Sequence, residues 1–309
     1  MVRGRIINLN GGLYKVLLDD GKIVSIKARG KLRSEKRHIV NEKSLSKKAV
    51  LTTIKNSPKV GDFVQIENEM IAVIEPRRNE LIRPDIANVD QILLVFAATE
   101  PDFSFYLLDL FIVNITKQGI TPVIVVSKID KLSTEKLDEL KLGLKYYEDL
   151  GYQIIYVNSL NGMGIEKVAE VLDGKITVLS GQTGAGKSTL INALIPEFCL
   201  QTQEISSVLG RGKHTTRQTN LYSYKSGFIG DTPGFSKLDL LGVEKEELPD
   251  LFVEFKKYSC RFKDCNHTRG ILGCGIHQAY EEHSILPSRY ESYLKMMDLI
   301  TARNREKRK

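Results

Sequence analysis

No apolar run in this 309-residue chain approaches the roughly 20 residues that a membrane span requires. The opening stretch, MVRGRIINLN, lacks the apolar core of a signal peptide. Both absences argue against a membrane or secreted protein and place the expected location in the cytoplasm. Cysteine is scarce as well: Cys199, Cys260, Cys265 and Cys274 are the only four. A cytosolic chain keeps its thiols reduced, so a disulfide framework is excluded and clustered cysteines suggest a metal. No internal repeat or low-complexity tract occurs, and the length suits two or three domains, each with its own core.

Charge is present, and unevenly placed. The net charge is +7 and the pI about 9.0. From Lys27 to Lys48 there are nine Lys or Arg against Glu35 and Glu42, which alone equals that surplus. A second cluster, Arg303 to Lys309, holds five basic residues among seven. Two basic clusters at opposite ends favour a nucleic-acid partner over merely solvated loop and tail.

Residues 1–83 read as five short strands. RIINLNGGLYKVLL and KIVSIKARG flank the hairpin signal Asp19-Asp20-Gly21, and AVLTTI, DFVQIE and MIAVIEP follow a long charged loop. This pattern predicts a small β-barrel of the oligonucleotide-binding (OB) type, although an SH3-like barrel has the same signature. The segment has no aromatic row for base stacking, so its nucleic-acid contacts are expected at phosphates.

Over 84–240 the apolar runs QILLVFA, PVIVVS, QIIYV and KITVLS alternate with helical stretches such as Ser133–Leu150 and Gly164–Leu172. Such alternation predicts an α/β domain with a parallel sheet buried on both faces, to which NLYSY and GFIGD add two strands. Residues 241–309 read as helical around a Cys/His cluster. Tyr290, Tyr293, Leu294, Met297 and Ile300 recur at helical spacing as a packing stripe.

The segment Gly181-Gln182-Thr183-Gly184-Ala185-Gly186-Lys187-Ser188-Thr189 fits the phosphate-loop pattern G-x-x-x-x-G-K-[ST]. Small residues let backbone N–H groups close around phosphate oxygens, Lys187 brings charge to the β and γ phosphates, and the Ser188 hydroxyl can ligate magnesium. A strand precedes the loop and a helix follows it, so the helix N-terminus faces the phosphates. Asp231-Thr232-Pro233-Gly234 ends a later strand. There Asp231 can hold magnesium through water and Gly234 can approach the γ-phosphate.

Base selection is written upstream. Ser127-Lys128-Ile129-Asp130 resembles the Asn-Lys-x-Asp signature of GTPases, with Ser127 in place of Asn. The Asp130 carboxylate can accept from both guanine N1–H and the exocyclic amine, a pair adenine lacks, while Lys128 can lie along the base plane. Asn158-Ser159-Leu160 stands where a third base-facing loop is expected. These segments precede the phosphate loop, whereas ordinary GTPases have the reverse order. The domain is therefore circularly permuted.

Permuted order, an N-terminal barrel and a C-terminal Cys/His cluster together resemble the ribosome small-subunit-dependent GTPase A family (RsgA, also called YjeQ or EngC). The motifs SKID, GQTGAGKST, GRGKHTTRQT, DTPGF and the cysteine cluster carry this resemblance across essentially the whole chain. It implies a barrel, a permuted GTPase domain and a zinc-binding helical domain. It also implies a GTPase that acts in late maturation of the small ribosomal subunit, contacts ribosomal RNA and is stimulated by the subunit. The expected partners are GTP or GDP and that subunit, with no membrane and a monomeric chain.

Cys260, Cys265, His267 and Cys274, spaced C-x4-C-x-H-x6-C, suit one structural zinc ion, with His277 as the alternative fourth ligand. Cys199 lies apart from them and reads as packed. Thr215 or Thr216 is placed to complete the magnesium shell. The residue after DTPG is Phe235, which cannot orient water as a Gln would. His214 is then the candidate for that role, its alternative being contact with RNA or solvent.

Overall fold

A computed structural model of the chain describes residues 1–33, 35–40, 49–54, 57–81, 85–195, 220–231, 240 and 242–306. The first strands are β1 (Val2–Asn10), β2 (Leu13–Leu18), β3 (Ile23–Ala28), β4 (Glu35–Val40), β5 (Ala49–Ile54), β6 (Phe63–Glu67) and β7 (Met70–Ile74). Neighbours pair in the order β1-β2-β3-β7-β6, and β6 pairs back onto β1 to close a five-stranded barrel. Ile6, Val16, Ile26, Val64 and Ile71 fill it.

The five strands are not the five expected. Gly11-Gly12, a two-residue hairpin turn, splits RIINLNGGLYKVLL into β1 and β2, which supply two barrel strands instead of one. AVLTTI is then surplus to the barrel. As β5 it pairs with β4 in a separate two-stranded hairpin, so the basic segment is strand in part and not simply a loop.

A short hairpin, β8 (Glu80–Leu81) with β9 (Ile86–Ala87), leads into the α/β region. Its elements are β10 (Gln91–Ala97), α1 (Phe105–Thr116), β11 (Thr121–Ser127), α2 (Thr134–Asp149), β12 (Gln153–Tyr156), α3 (Ile165–Leu172), β13 (Ile176–Gly181), α4 (Lys187–Leu194), β14 (Asn220–Tyr224) and β15 (Gly227–Asp231). The strand order is β12-β11-β10-β13-β15-β14, parallel except for β14.

Side chains of a strand alternate faces, and both faces here are covered. Leu94 and Phe96 face α1 and α2, whereas Leu93, Val95 and Ala97 face α3 and α4. This explains the unbroken apolar runs. β14 also pairs with β1 at Asn220 and Asn8, so barrel and α/β sheet form one hydrogen-bonded surface of eleven strands.

The C-terminal region contains α5 (Gly275–Glu281) and α6 (Pro287–Glu306), preceded by two 3-10 turns. As expected, Tyr290, Tyr293, Met297 and Ile300 of α6 are buried, and Leu294 packs beside them. They meet Leu110 and Val113 on the face of α1 turned away from the sheet. α1 is thus buried on both sides, because it lies between two cores. Within that seam Arg289 is fully buried, bonded to Asp109 of α1 at 2.6 Å and to Glu254 at 2.7 Å.

Candidate nucleotide site and metal centre

In an open parallel sheet, ligands bind beyond the carboxyl ends of the strands, where the chain reverses its direction of strand addition. Here β10, β11 and β12 are laid down outward, after which β13 crosses to the other side of β10. The phosphate loop follows β13 at that point. Gly181 has φ 119°, and a Cβ on it would stand 2.2 Å from the Val95 carbonyl oxygen, so only glycine lets β13 and β10 pair to their ends.

Lys187 opens α4, and its Nζ donates to the carbonyls of Gly181 at 3.0 Å and Gln182 at 2.7 Å. Burial lowers its pKa from the ordinary lysine value. An anion beside the ammonium offsets that effect. Thr183, Gly184, Ser188 and Thr189 are exposed, whereas Ala185 and Leu190 anchor the loop and helix in the core.

The Ser127–Asp130 segment meets this loop directly, through Ser127 Oγ and the Ala185 carbonyl. Lys128 is held in the left-handed region at φ 55°, directly before the turn Ile129–Lys131. Ile129 is buried beneath that turn and Asp130 is exposed on it. A Cβ on Gly186 would lie 3.9 Å from Lys128 Cε and 4.0 Å from Ser127 Oγ. After β12, Asn158 is buried and its Oδ1 accepts the Leu160 N–H at 3.0 Å, which leaves Ser159 half-buried and Leu160 projecting. Asp231 ends β15 opposite Asn220 in the register. His214, Thr215, Thr216, Thr232, Pro233, Gly234, Phe235 and Cys199 lie outside the described residues.

One contributor carried no motif. The loop after β10 touches both halves of the site. Lys128 Nζ donates to the Glu100 carbonyl, Lys131 pairs with the Glu100 carboxylate, and Gln182 Nε2 donates to the Asp102 carbonyl at 2.9 Å. The Glu100 carboxyl is held below its usual range by Lys131. The only sequence signal was position, between an apolar strand and the Ser104 that caps α1.

In the C-terminal region, one ligand atom from each of Cys260, Cys265, His267 and Cys274 falls within 4.8 Å of the others. Cys260 Sγ is 3.4 Å from His267 Nδ1 and 3.9 Å from Cys274 Sγ, and Cys274 Sγ is 3.7 Å from His267 Nδ1. Zinc–sulfur and zinc–nitrogen bonds in a tetrahedron put such atoms about 3.5–3.8 Å apart, so the donor set fits a tetrahedral ion. Burial, reinforced by the neighbouring thiols, pushes the Cys274 thiol up to about 12. A cation among these sulfurs removes that obstacle to ionisation. The His277 backbone N–H donates to Cys274 Sγ at 3.4 Å, and its ring stacks on Tyr290 outside the group.

Sheet order and a phosphate loop that follows the Ser127-Lys128-Ile129-Asp130 segment define a circularly permuted P-loop GTPase. A family model described as RsgA GTPase matches residues 74–241. The "Small ribosomal subunit biogenesis GTPase RsgA" of Halalkalibacterium halodurans is 38% identical, with 99% of this chain and 100% of that protein covered. The protein of the same description from Phytoplasma australiense is 41% identical, with 97% of each covered. Among solved structures, YjeQ from Thermotoga maritima has a TM-score of 0.79 at 31% identity, covering 97% of this chain and 98% of that one. YloQ, described as a circularly permuted GTPase, has a TM-score of 0.77 at 31% identity, covering 98% and 96%. The chain belongs to the RsgA GTPase family.

Proposed function

We propose that this protein binds GTP, hydrolyses it to GDP and phosphate, and uses the cycle in the biogenesis of the small ribosomal subunit. The observation that carries the chemistry is that the Ser127–Asp130 segment lies beside the phosphate loop, with Ser127 Oγ donating to the Ala185 carbonyl at 2.6 Å. Only a ligand with a base at one end and phosphates at the other spans both. The subunit as partner rests on the full-length relatives, which are described as small ribosomal subunit biogenesis GTPases.

In this reading Asp130 selects guanine, with Lys128 along the base and Asn158, Ser159 and Leu160 closing over it. Backbone amides from Gln182 to Gly186 cradle the phosphates, and Lys187 neutralises charge that grows on the γ-phosphate. Ser188 with Thr216 or Thr215, and Asp231 through water, would hold magnesium, which would supply further neutralisation of phosphate charge. Gly234 senses the γ-phosphate, and His214 orients the attacking water. A single structural zinc would sit on Cys260, Cys265, His267 and Cys274.

Ribosomal RNA is the proposed surface for the two basic clusters, and the domains divide at residues 83 and 240. Among the described residues no helix is long and apolar enough to cross a membrane. In this reading the protein acts in the cytoplasm, where small subunits are assembled, and as a monomer.

GTP turnover measured with and without purified small subunits tests the proposal. Slow basal hydrolysis that rises on adding subunits is expected. Turnover absent under both conditions would leave an RNA-binding module with a purely structural nucleotide. In parallel, Asp130→Asn should weaken GTP binding by about 10²-fold, as loss of a charged two-acceptor contact does.

A further inference from the structure

Arg303 belongs by sequence to the basic cluster at the end of the chain, yet its guanidinium is turned inward. Nη1 donates to the Leu240 carbonyl and Nη2 to the Val243 carbonyl at 2.5 Å, with the Glu244 carboxylate 3.9 Å away. Nε is buried and finds no partner among the described residues. A second cation, from another helix, closes on the same stretch. Lys117, which caps the C-terminal end of α1, donates to the Gly242 carbonyl and pairs with the Glu247 carboxylate at 2.6 Å.

The stretch so held is a tight turn. The Val243 N–H donates to the Leu240 carbonyl at 3.3 Å, Gly242 is left-handed at φ 77°, and the Leu240 and Val243 side chains are buried in the C-terminal core. Leu240, Gly242 and Val243 belong to no helix or strand, so their carbonyls depend on donors such as these. Leu240 stands nine residues beyond Asp231, which ends β15 at the nucleotide edge of the sheet. α1 starts at that edge, beside Gln182, and its 12 residues carry Lys117 about 18 Å along the helix axis away from it. The chain that leaves Asp231 with Thr232, Pro233 and Gly234 is therefore fixed at its far end to α1 and α6, about a helix length from the nucleotide edge.

We propose that Lys117 and Arg303 are positioning residues for the GTP-bound state: by holding the carbonyls of Leu240, Gly242 and Val243, they anchor the far end of the stretch that brings Gly234 to the γ-phosphate. A stretch fixed at one end only loses more freedom on engaging a ligand than one fixed at both. Loss of the clamp should therefore weaken whatever depends on the γ-phosphate and spare GDP. This rests on the GTPase reading above. It takes Arg303 out of the RNA-facing cluster and leaves the rest of that cluster as proposed.

Two variants of the full chain test it, each close to the original side chain in length. Lys117→Met removes the ammonium. Arg303→Lys keeps the charge, which suffices for an RNA phosphate, but lacks the fork that bonds two carbonyls at once. Both are titrated calorimetrically, with magnesium, against GDP and against a non-hydrolysable GTP analogue. GDP affinity should stay within about twofold of wild type, which also reports that the variants are folded. Affinity for the analogue should fall by about 2- to 30-fold, the range of single links in a coupling network. An unchanged analogue-to-GDP affinity ratio overturns the proposal, whether both affinities hold or both fall together. An effect confined to one of the two variants breaks the pairing and overturns it as well. Wild-type protein that binds neither nucleotide overturns the functional reading itself, and this inference with it.

Discussion

The parallel sheet and the C-terminal helices pack on opposite faces of α1, yet different forces hold them. On the sheet side Leu108, Phe111, Ile112 and Ile115 join an apolar core along β10, β11 and β13, strands that carry no buried charged side chain. On the other side Leu110 and Val113 meet a cluster seamed by Arg289, Asp109 and Glu254, all buried, and bordered by three thiols. Apolar burial is spread over many contacts, each worth about 25 cal/mol per Å². A buried ion triad concentrates its effect in three residues, and removing one leaves the others without compensation. The sheet should therefore tolerate single changes that the C-terminal region cannot.

Stripping metal with a chelator is the largest way to sharpen that contrast. Structural zinc contributes about 10–16 kcal/mol to small domains that fold around it. Hydrogen exchange should show amides over 258–281 losing protection while β10, β11 and β13 keep theirs. Loss of protection in both regions together would break the contrast. Arg289→Ala follows, at about 3–5 kcal/mol, because the Glu254 carboxylate would be left buried without its counter-charge. The same exchange experiment should place the loss in 242–306 first. Lys187→Ala then tests independence from the other side: hydrolysis should fall by about 10²- to 10³-fold, with unfolding of both regions unchanged.

What the sequence made legible follows the same division. The sheet could be read because covering both faces forces unbroken apolar runs, and the phosphate loop because its geometry tolerates few residues. Barrel strands were misassigned where a Gly-Gly turn lay inside one apolar run, and AVLTTI has the alternation of a barrel strand while pairing elsewhere. Arg289 was not legible, since a lone Arg beside an apolar stripe reads as solvent-facing. Its partner did leave a trace: Asp109 interrupts FYLLDLFIVNIT, where a charge has no reason to stand unless something buried answers it. The loop at Glu100–Asp102 acts through backbone carbonyls, which no side-chain pattern reveals.

The smallest expected effect asks which carboxylate answers Arg289. Glu254 accepts from Nε at 2.7 Å and Nη2 at 3.3 Å. Asp109 Oδ1 accepts from Nη1 at 2.6 Å and from the Tyr147 hydroxyl at 2.7 Å, while Oδ2 is buried without a hydrogen-bond partner. Burial raises the Asp109 carboxyl above its ordinary value, against the opposing pull of Arg289. A proton on Oδ2 leaves the triad neutral, with Glu254 as the charged partner. A carboxyl raised on folding contributes stability that is present below its unfolded pKa and is lost as pH rises through the folded one. Asn at 109 keeps the Oδ1 acceptor and has no such proton to lose. Asp109→Asn should therefore cost under about 1 kcal/mol at low pH, where wild type is best placed. That gap should close as pH rises above the ordinary carboxylate range, measured by denaturant unfolding across that rise. Glu254→Gln should cost about 3–5 kcal/mol throughout, because it leaves the guanidinium uncompensated. A penalty for Asp109→Asn as large as that for Glu254→Gln, and growing with pH, would make Asp109 the ionised partner and reverse the assignment.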